Sequence, residues 1–303
     1  MTISTLRPAR TFALAVLFTA GSLASGCAST QPAQEAGAPG ARAISPASML
    51  HSSTGASAAL DGHEKSILVN GYSTSYAWPA MLQDMLDDHT GGKRVYHVLN
   101  AVVGGAPVES WIASPGSRDY ARTVAAMDRD FFGPNARLRN GAPAPTIAIC
   151  QQSLQLTGDE RGPVKSEYDM AGAEFGADAM EQLAALLHDR GVEEIYITTH
   201  IYKKPVEPEV GNERIALDRL LSRGVQYIHR GPDVWTPSRD CHPDCFTADG
   251  LHPNAVGMKM LAQAWYQSLA GASAKQAVVD TLWARDYDVD QMMRDYLAWR
   301  RGE

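Results

Sequence analysis

The chain lacks most of the features that would commit it to a cofactor or a polymeric partner. No cluster of lysine and arginine stands out among its 27 basic residues, so it carries no electrostatic footprint for nucleic acid. No Gly-x-Gly-x-x-Gly and no phosphate-loop motif occurs, which removes the usual cradles for a nucleotide. Acidic pairs such as Asp159-Glu160 have no convergent spacing, so glycoside hydrolysis by two carboxylates is not indicated. No internal repeat is present, and cysteine is scarce, with four in 303 residues. What remains is ordinary globular material, 45% hydrophobic and 20% charged, ample for one core. The formal net charge of -7 argues for solubility and says little about substrate.

Long apolar runs are missing too. The run Thr11–Ala20 is too short to span a bilayer comfortably, and Arg7 and Arg10 give it a basic start, as in an export signal. It leads into Leu23-Ala-Ser-Gly-Cys27, small residues ending in Gly-Cys, which resembles a bacterial lipobox. The expectation is a lipoprotein signal peptide over 1–26, with Cys27 lipidated as the new N-terminus. An ordinary secretory signal is the alternative. Acyl chains on Cys27 would anchor an exported protein to a membrane, on its periplasmic or cell-surface side. Residues 27–63 begin rich in Ala, Ser, Gly, Pro and Gln without an apolar period, and read as a tether.

The remaining cysteines agree with export. Cys241-His-Pro-Asp-Cys245 is a close pair in a polar loop, which an oxidising compartment would let close into a disulfide. A zinc site from Cys241, His242, Cys245 and His252 is the competing arrangement, without a second cluster to support it. Cys150 ends an apolar run and reads as a buried, inert thiol.

From Glu64 the pattern alternates between strands and helices. Strands are expected at Ser66–Asn70, Arg94–Asn100, Thr146–Cys150, Glu194–Thr199 and Val225–His229. Helices are expected from Trp78, over Asp178–Arg190 and Glu213–Ser222, and over Ala255–Ala270. Alternation of this kind points to an α/β fold with a parallel sheet covered on both faces. Functional sites in such folds lie at the carboxyl ends of the strands. Residues 272–303 carry apolar positions for one or two amphipathic helices, packed on the domain or serving a contact.

Two motifs carry chemistry. The first strand runs straight into Gly71-Tyr72-Ser73, and Asp249-Gly-Leu-His252-Pro-Asn254 precedes the last long helix of the domain. Serine is a weak nucleophile until a base takes its proton; imidazole can do so near neutral pH, and a carboxylate holds it in the useful tautomer. In Asp-x-x-His both partners come from one short turn.

These residues, over 64–271, resemble the SGNH/GDSL hydrolase family. The resemblance implies a three-layer α/β/α sandwich of flavodoxin-like kind and, for most members, esterase activity without a metal or organic cofactor. Gly71-Tyr72-Ser73 stands where the family has Gly-Asp-Ser, which makes Ser73 the nucleophile, with its own N–H serving the oxyanion hole. Thr74 and Ser75 are rival hydroxyls. Asn100-Ala-Val-Val-Gly104-Gly105 fits the second block, with Gly105 as the oxyanion donor. The third block of the family, Gly-x-Asn-Asp, meets Gln151-Gln152-Ser153-Leu154-Gln155 here. By register Gln152 or Ser153 lies closest to the third donor's place, with Gln155 a further candidate; Gln152, whose amide can act as the donor, is the expected one. Asp249 and His252 match the last block, His252 as base and Asp249 as its partner.

The expected function is an exported serine esterase acting through an acyl-enzyme, removing O-acetyl or short acyl groups from carbohydrate. A lipase or short-chain acyl esterase is one alternative. A non-catalytic glycan-binding module on the same fold is another. Of the remaining features, His200-Ile-Tyr-Lys203-Lys204 with Glu207–Glu213 forms a cap over the cleft or a solvated loop. Trp78, Trp111 and Trp235 form either a sugar-stacking platform or core.

Overall fold

A computed structural model of the chain describes residues 59–134, 136, 138, 141–151, 166–202 and 207–302. Five strands build one sheet: β1 (Lys65–Gly71), β2 (Tyr96–Asn100), β3 (Pro145–Gln151), β4 (Glu194–Thr198) and β5 (Ile228–Arg230). All neighbouring pairs are parallel, in the order β2-β1-β3-β4-β5. The helices in chain order are α1 (Trp78–His89), α2 (Val108–Trp111), α3 (Arg118–Arg122), α4 (Val124–Met127), α5 (Met170–His188), α6 (Glu207–Ser222), α7 (Trp235–Asp240), α8 (Ala255–Ala270), α9 (Gln276–Ala284) and α10 (Val289–Arg301). The fold is the α/β sandwich with a parallel sheet that the alternating pattern implied.

Successive strand residues point to opposite faces, and the chain uses this to make two cores. Ile67 and Val69 of β1 join Ile147, Ile149 and Tyr196 against Trp78, Met81 and Met85 of α1 and Leu261 and Trp265 of α8. Leu68 faces the other way, with Ala148, Ile195 and Ile197, against Leu183 and Leu187 of α5 and Leu220 of α6. Each fully buried Leu, Ile or Met contributes about 1.5–3 kcal/mol, so the two faces together drive the layering. Trp78 and Trp265 stack with centroids 6.1 Å apart and lock α1 to α8. Cys150 is fully buried, and burial pushes its thiol far up, which keeps it protonated and unreactive as expected.

The open edge at β2 is covered from α1. The Val98 N–H donates to Gln83 Oε1 at 2.7 Å, and Gln83 Nε2 donates to the Tyr96 carbonyl at 2.8 Å. One side-chain amide thus stands in for a neighbouring strand, which blunts an edge that would otherwise recruit another chain.

Two helices begin earlier than the apolar period suggests. Helix α5 starts at Met170, not Asp178, because Asp169 caps it by accepting the Gly172 N–H at 2.9 Å. Its first turns are Gly- and Ala-rich and carry little hydrophobic signal. Helix α6 starts at Glu207, so residues 207–212 are helical and not the loop expected there. The last segment forms α9, which buries Val278, Val279 and Leu282, and α10, which buries Tyr296.

Helix α8 begins hard against the loop before it. A Cβ on Gly257 would overlap the Cys245 carbonyl and lie 2.8 Å from Pro253 Cβ. Gly257→Ala is therefore expected to cost about 1–3 kcal/mol, as overpacking does, and to lower the urea midpoint. An unchanged midpoint would mean that the loop yields freely.

Candidate active site

The strand order creates the site. From β1 the chain crosses to β2 on one side, and β3 then pairs on the other, so a crevice opens beyond the carboxyl ends of β1 and β3. Strand β1 ends at Gly71, where an added Cβ would lie 3.0 Å from the Gln151 carbonyl and 3.1 Å from Ser75 Oγ. Only glycine lets the turn fold so closely on β3. Tyr72 stays extended, and Ser73–Ser75 forms a 3₁₀ turn with the Ser75 N–H bonded to the Tyr72 carbonyl at 2.8 Å. Thr74 and Ser75 are fully buried, whereas Ser73 is part-exposed, so the rival hydroxyls point into the protein.

Across the crevice stands His252. Its Nε2 lies 3.0 Å from Ser73 Oγ, and its Nδ1 lies 2.7 Å from Asp249 Oδ2. With the ring proton on Nδ1, facing the carboxylate, Nε2 accepts from the Ser73 hydroxyl. Asp249 also accepts from Thr247 Oγ1 at 2.7 Å and from the Leu251 and His252 N–H groups at 2.8 and 2.9 Å. The His252 ring first, then the His252 N–H and the Thr247 hydroxyl, hold its carboxyl far below the usual range.

The loop that carries the pair is tied at several points. Cys241 and Cys245 form a disulfide, which takes both sulfurs out of any zinc site with His242 and His252. Asn254 caps α8 by accepting from the Val256 and Gly257 N–H groups. Its amide donates to the Asp244 and Phe246 carbonyls at 2.8 and 3.1 Å. The Thr247 N–H donates to the His252 carbonyl at 2.8 Å.

The segment after β2 forms the third wall. The Ala101 and Val103 N–H groups donate to the Val69 and Gly71 carbonyls at 2.9 and 3.0 Å, which carries the chain along the end of β1. Val103–Ala106 is then a tight turn, closed by Ala106 N–H to Val103 O at 3.2 Å, with Gly105 at φ 63°. That φ suits glycine, as at the third position of a type II turn. The turn's own bond does not use the Gly105 N–H. A Cβ on Gly104 would lie 3.9 Å from Ser73 Cβ, so this turn stands beside Ser73.

Other expected candidates fall differently. Cys27 and Gln152, with Ser153, Gln155, Lys203 and Lys204, lie outside the described residues. Gln151 is fully buried and accepts the Trp265 indole N–H at 3.0 Å, so its side chain is turned into the core. Trp78 and Trp111 are fully buried, and Trp235 lies under the Arg214 and Arg239 guanidiniums at 5.1 and 4.7 Å. The three tryptophans are core and cation–π partners, and do not form a sugar platform. Tyr72 is buried against His200, ring centroids 4.8 Å apart, which makes the residue before Ser73 a packing element. The role of Thr247 had no local sequence signal. An Asn directly before an apolar helix is a cap signal, so the role of Asn254 was readable.

No protein-family model and no curated protein matches the chain. Solved structures similar to it include SGNH hydrolases and esterases. A protein from Slackia heliotrinireducens described as an SGNH hydrolase is 18% identical, over 67% of this chain and 97% of that chain, with a TM-score of 0.42. The psychrotrophic esterase EstA from Pseudoalteromonas sp. is 14% identical, over 68% and 97%, with a TM-score of 0.43. The acetyl xylan esterase AlAXEase is 11% identical, over 67% and 99%, with a TM-score of 0.43.

The hydrogen bonds to Asp249 make a pH prediction. A depressed carboxyl adds stability above its unfolded value, and that contribution is lost as pH falls through the depressed folded value. The Asp249 carboxyl carbon, followed by NMR, is expected to show no inflection near the ordinary pKa of about 4. An inflection there would show that the four hydrogen bonds do not persist in solution.

Proposed function

We propose that the protein is a serine-dependent carboxylic ester hydrolase with Ser73 as nucleophile. One observation carries the reading: Ser73 Oγ, His252 and Asp249 are hydrogen-bonded in series, at 3.0 and 2.7 Å. In the first step Ser73 Oγ attacks the ester carbonyl while His252 Nε2 takes its proton. Asp249 holds the ring in the productive tautomer and stabilises the imidazolium. The oxyanion is met by the N–H groups of Ser73 and Gly105, with Gln152 as a third donor. The tetrahedral intermediate collapses, His252 protonates the departing alcohol, and an acyl-serine remains. Water, activated by His252, releases the acid and restores Ser73. The His252 and Asp249 side chains are 38% and 50% exposed, so among the described residues nothing closes the base off from water.

We assign O-acetyl or short acyl esters of carbohydrate as the substrate class. An open triad suits a bulky polar alcohol carrying a small acyl group. We also assign export and lipid attachment through Cys27, on the strength of the Arg-flanked apolar run and the Gly-Cys that follows it.

A fluorophosphonate probe is expected to label Ser73, mapped by peptide mass, and the label should vanish in His252→Ala. Ser73→Ala should cut turnover by several orders of magnitude with the fold intact. Asp249→Asn should cost about 10⁴ in kcat by permitting the wrong tautomer. A folded protein that binds glycan but takes no label would instead be a binding module. For the substrate, acetate release from acetylated polysaccharide should exceed hydrolysis of long-chain acyl esters; the reverse order would make it a lipase. For the anchor, Cys27→Ala should move the protein out of the membrane fraction.

A further inference from the structure

The turn beside Ser73 is held from its far side by groups outside the triad. The Arg122 guanidinium, at the end of α3, donates to the Gly104 carbonyl through Nη2. The Tyr76 hydroxyl closes on the same residue, where a Cβ on Gly104 would overlap it. Two residues earlier in the chain, the Val102 carbonyl accepts from the Tyr296 hydroxyl at 2.5 Å. Tyr296 belongs to α10 and packs on Tyr76, ring centroids 5.7 Å apart. Arg300, one turn further along α10, donates through Nη2 to the Arg122 carbonyl at 3.4 Å and through Nη1 to Asp130, which is 1% exposed, at 3.1 Å.

A trans peptide points its C=O and the following N–H in opposite directions. A guanidinium on the Gly104 carbonyl therefore sends the Gly105 N–H away from Arg122. Glycine at both positions leaves this peptide otherwise able to rotate, since neither residue has a Cβ to restrict it. We propose that Arg122, backed by α10, is the positioning residue of this turn and aims the Gly105 N–H into the crevice where Ser73 stands. The proposal rests on the ester-hydrolase reading. It also gives the last helix of the chain a task, because α10 holds both the Val102 carbonyl and the backbone of Arg122.

The experiment is steady-state hydrolysis of p-nitrophenyl acetate and the rate of fluorophosphonate labelling, on the full chain and on variants whose melting is compared with the parent. Arg122→Ala is expected to lower kcat and the labelling rate by about 10- to 100-fold, the scale of a displaced oxyanion donor, with KM within about two-fold. Guanidinium chloride at a sub-denaturing concentration should restore part of the loss in Arg122→Ala and none in Ser73→Ala. Asp119→Asn, which removes the partner 3.6 Å from Arg122 Nη1, should leave kcat unchanged. If Arg122→Ala does not fold, the same comparison is read on Arg122→Lys, which keeps a donor of different reach. An unchanged labelling rate, a change confined to KM, or an equal loss in Asp119→Asn overturns the proposal while the hydrolase reading stands. A parent protein that takes no label at Ser73 overturns both.

Discussion

Everything at the candidate site depends on one hydrogen bond between two loops 179 residues apart, Ser73 Oγ to His252 Nε2. Neither loop can make it alone. The first must leave β1 into the crevice beyond the carboxyl ends of β1 and β3, and the second must arrive at the start of α8 with its imidazole facing that crevice. Close backbone approach secures both ends. Gly71 lies against the Gln151 carbonyl, and Gly257 against the Cys245 carbonyl. A side chain at either position would move one end of the bond, and hydrogen bonds weaken steeply with distance and angle.

The Asp249–His252 pair shows which effect matters there. A polar pair this exposed contributes only about 0–1 kcal/mol, so this one does little to hold the fold together. Orientation is its consequence. Asp249 is fixed by the Thr247 hydroxyl and two backbone N–H groups before the ring makes its bond. The carboxylate is thus a preset template that selects one tautomer and one ring plane. The disulfide and the Asn254 cap remove slack from the loop that delivers it.

The turn at Gly104-Gly105 meets the opposite problem. Glycines let the backbone approach Ser73, and the same lack of side chains leaves the peptide soft. Stiffness has to come from elsewhere, and it comes from Arg122, Tyr76 and Tyr296. One of the three, Tyr296, is delivered by the final helix, far from Ser73 in sequence, so the packing of α10 and the site share a component.

The sequence by itself determined the alternation of strands and helices, the parallel α/β sheet, and the short-range chemistry. Asp-x-x-His is readable because its geometry is local: one turn brings carboxylate and ring together in almost any fold. The Cys241–Cys245 ring is readable for the same reason. The starts of α5 and α6 were not, because α5 opens with small residues and a cap, and α6 with charged residues and a proline. Tertiary structure alone decided which hydroxyl of Ser73, Thr74 and Ser75 meets the imidazole, that Gln151 turns into the core, and that α10 reaches the Val102–Gly105 turn. Each is a contact between residues distant in the chain, set by strand order and by which side chains the two cores bury. A local pattern constrains neither.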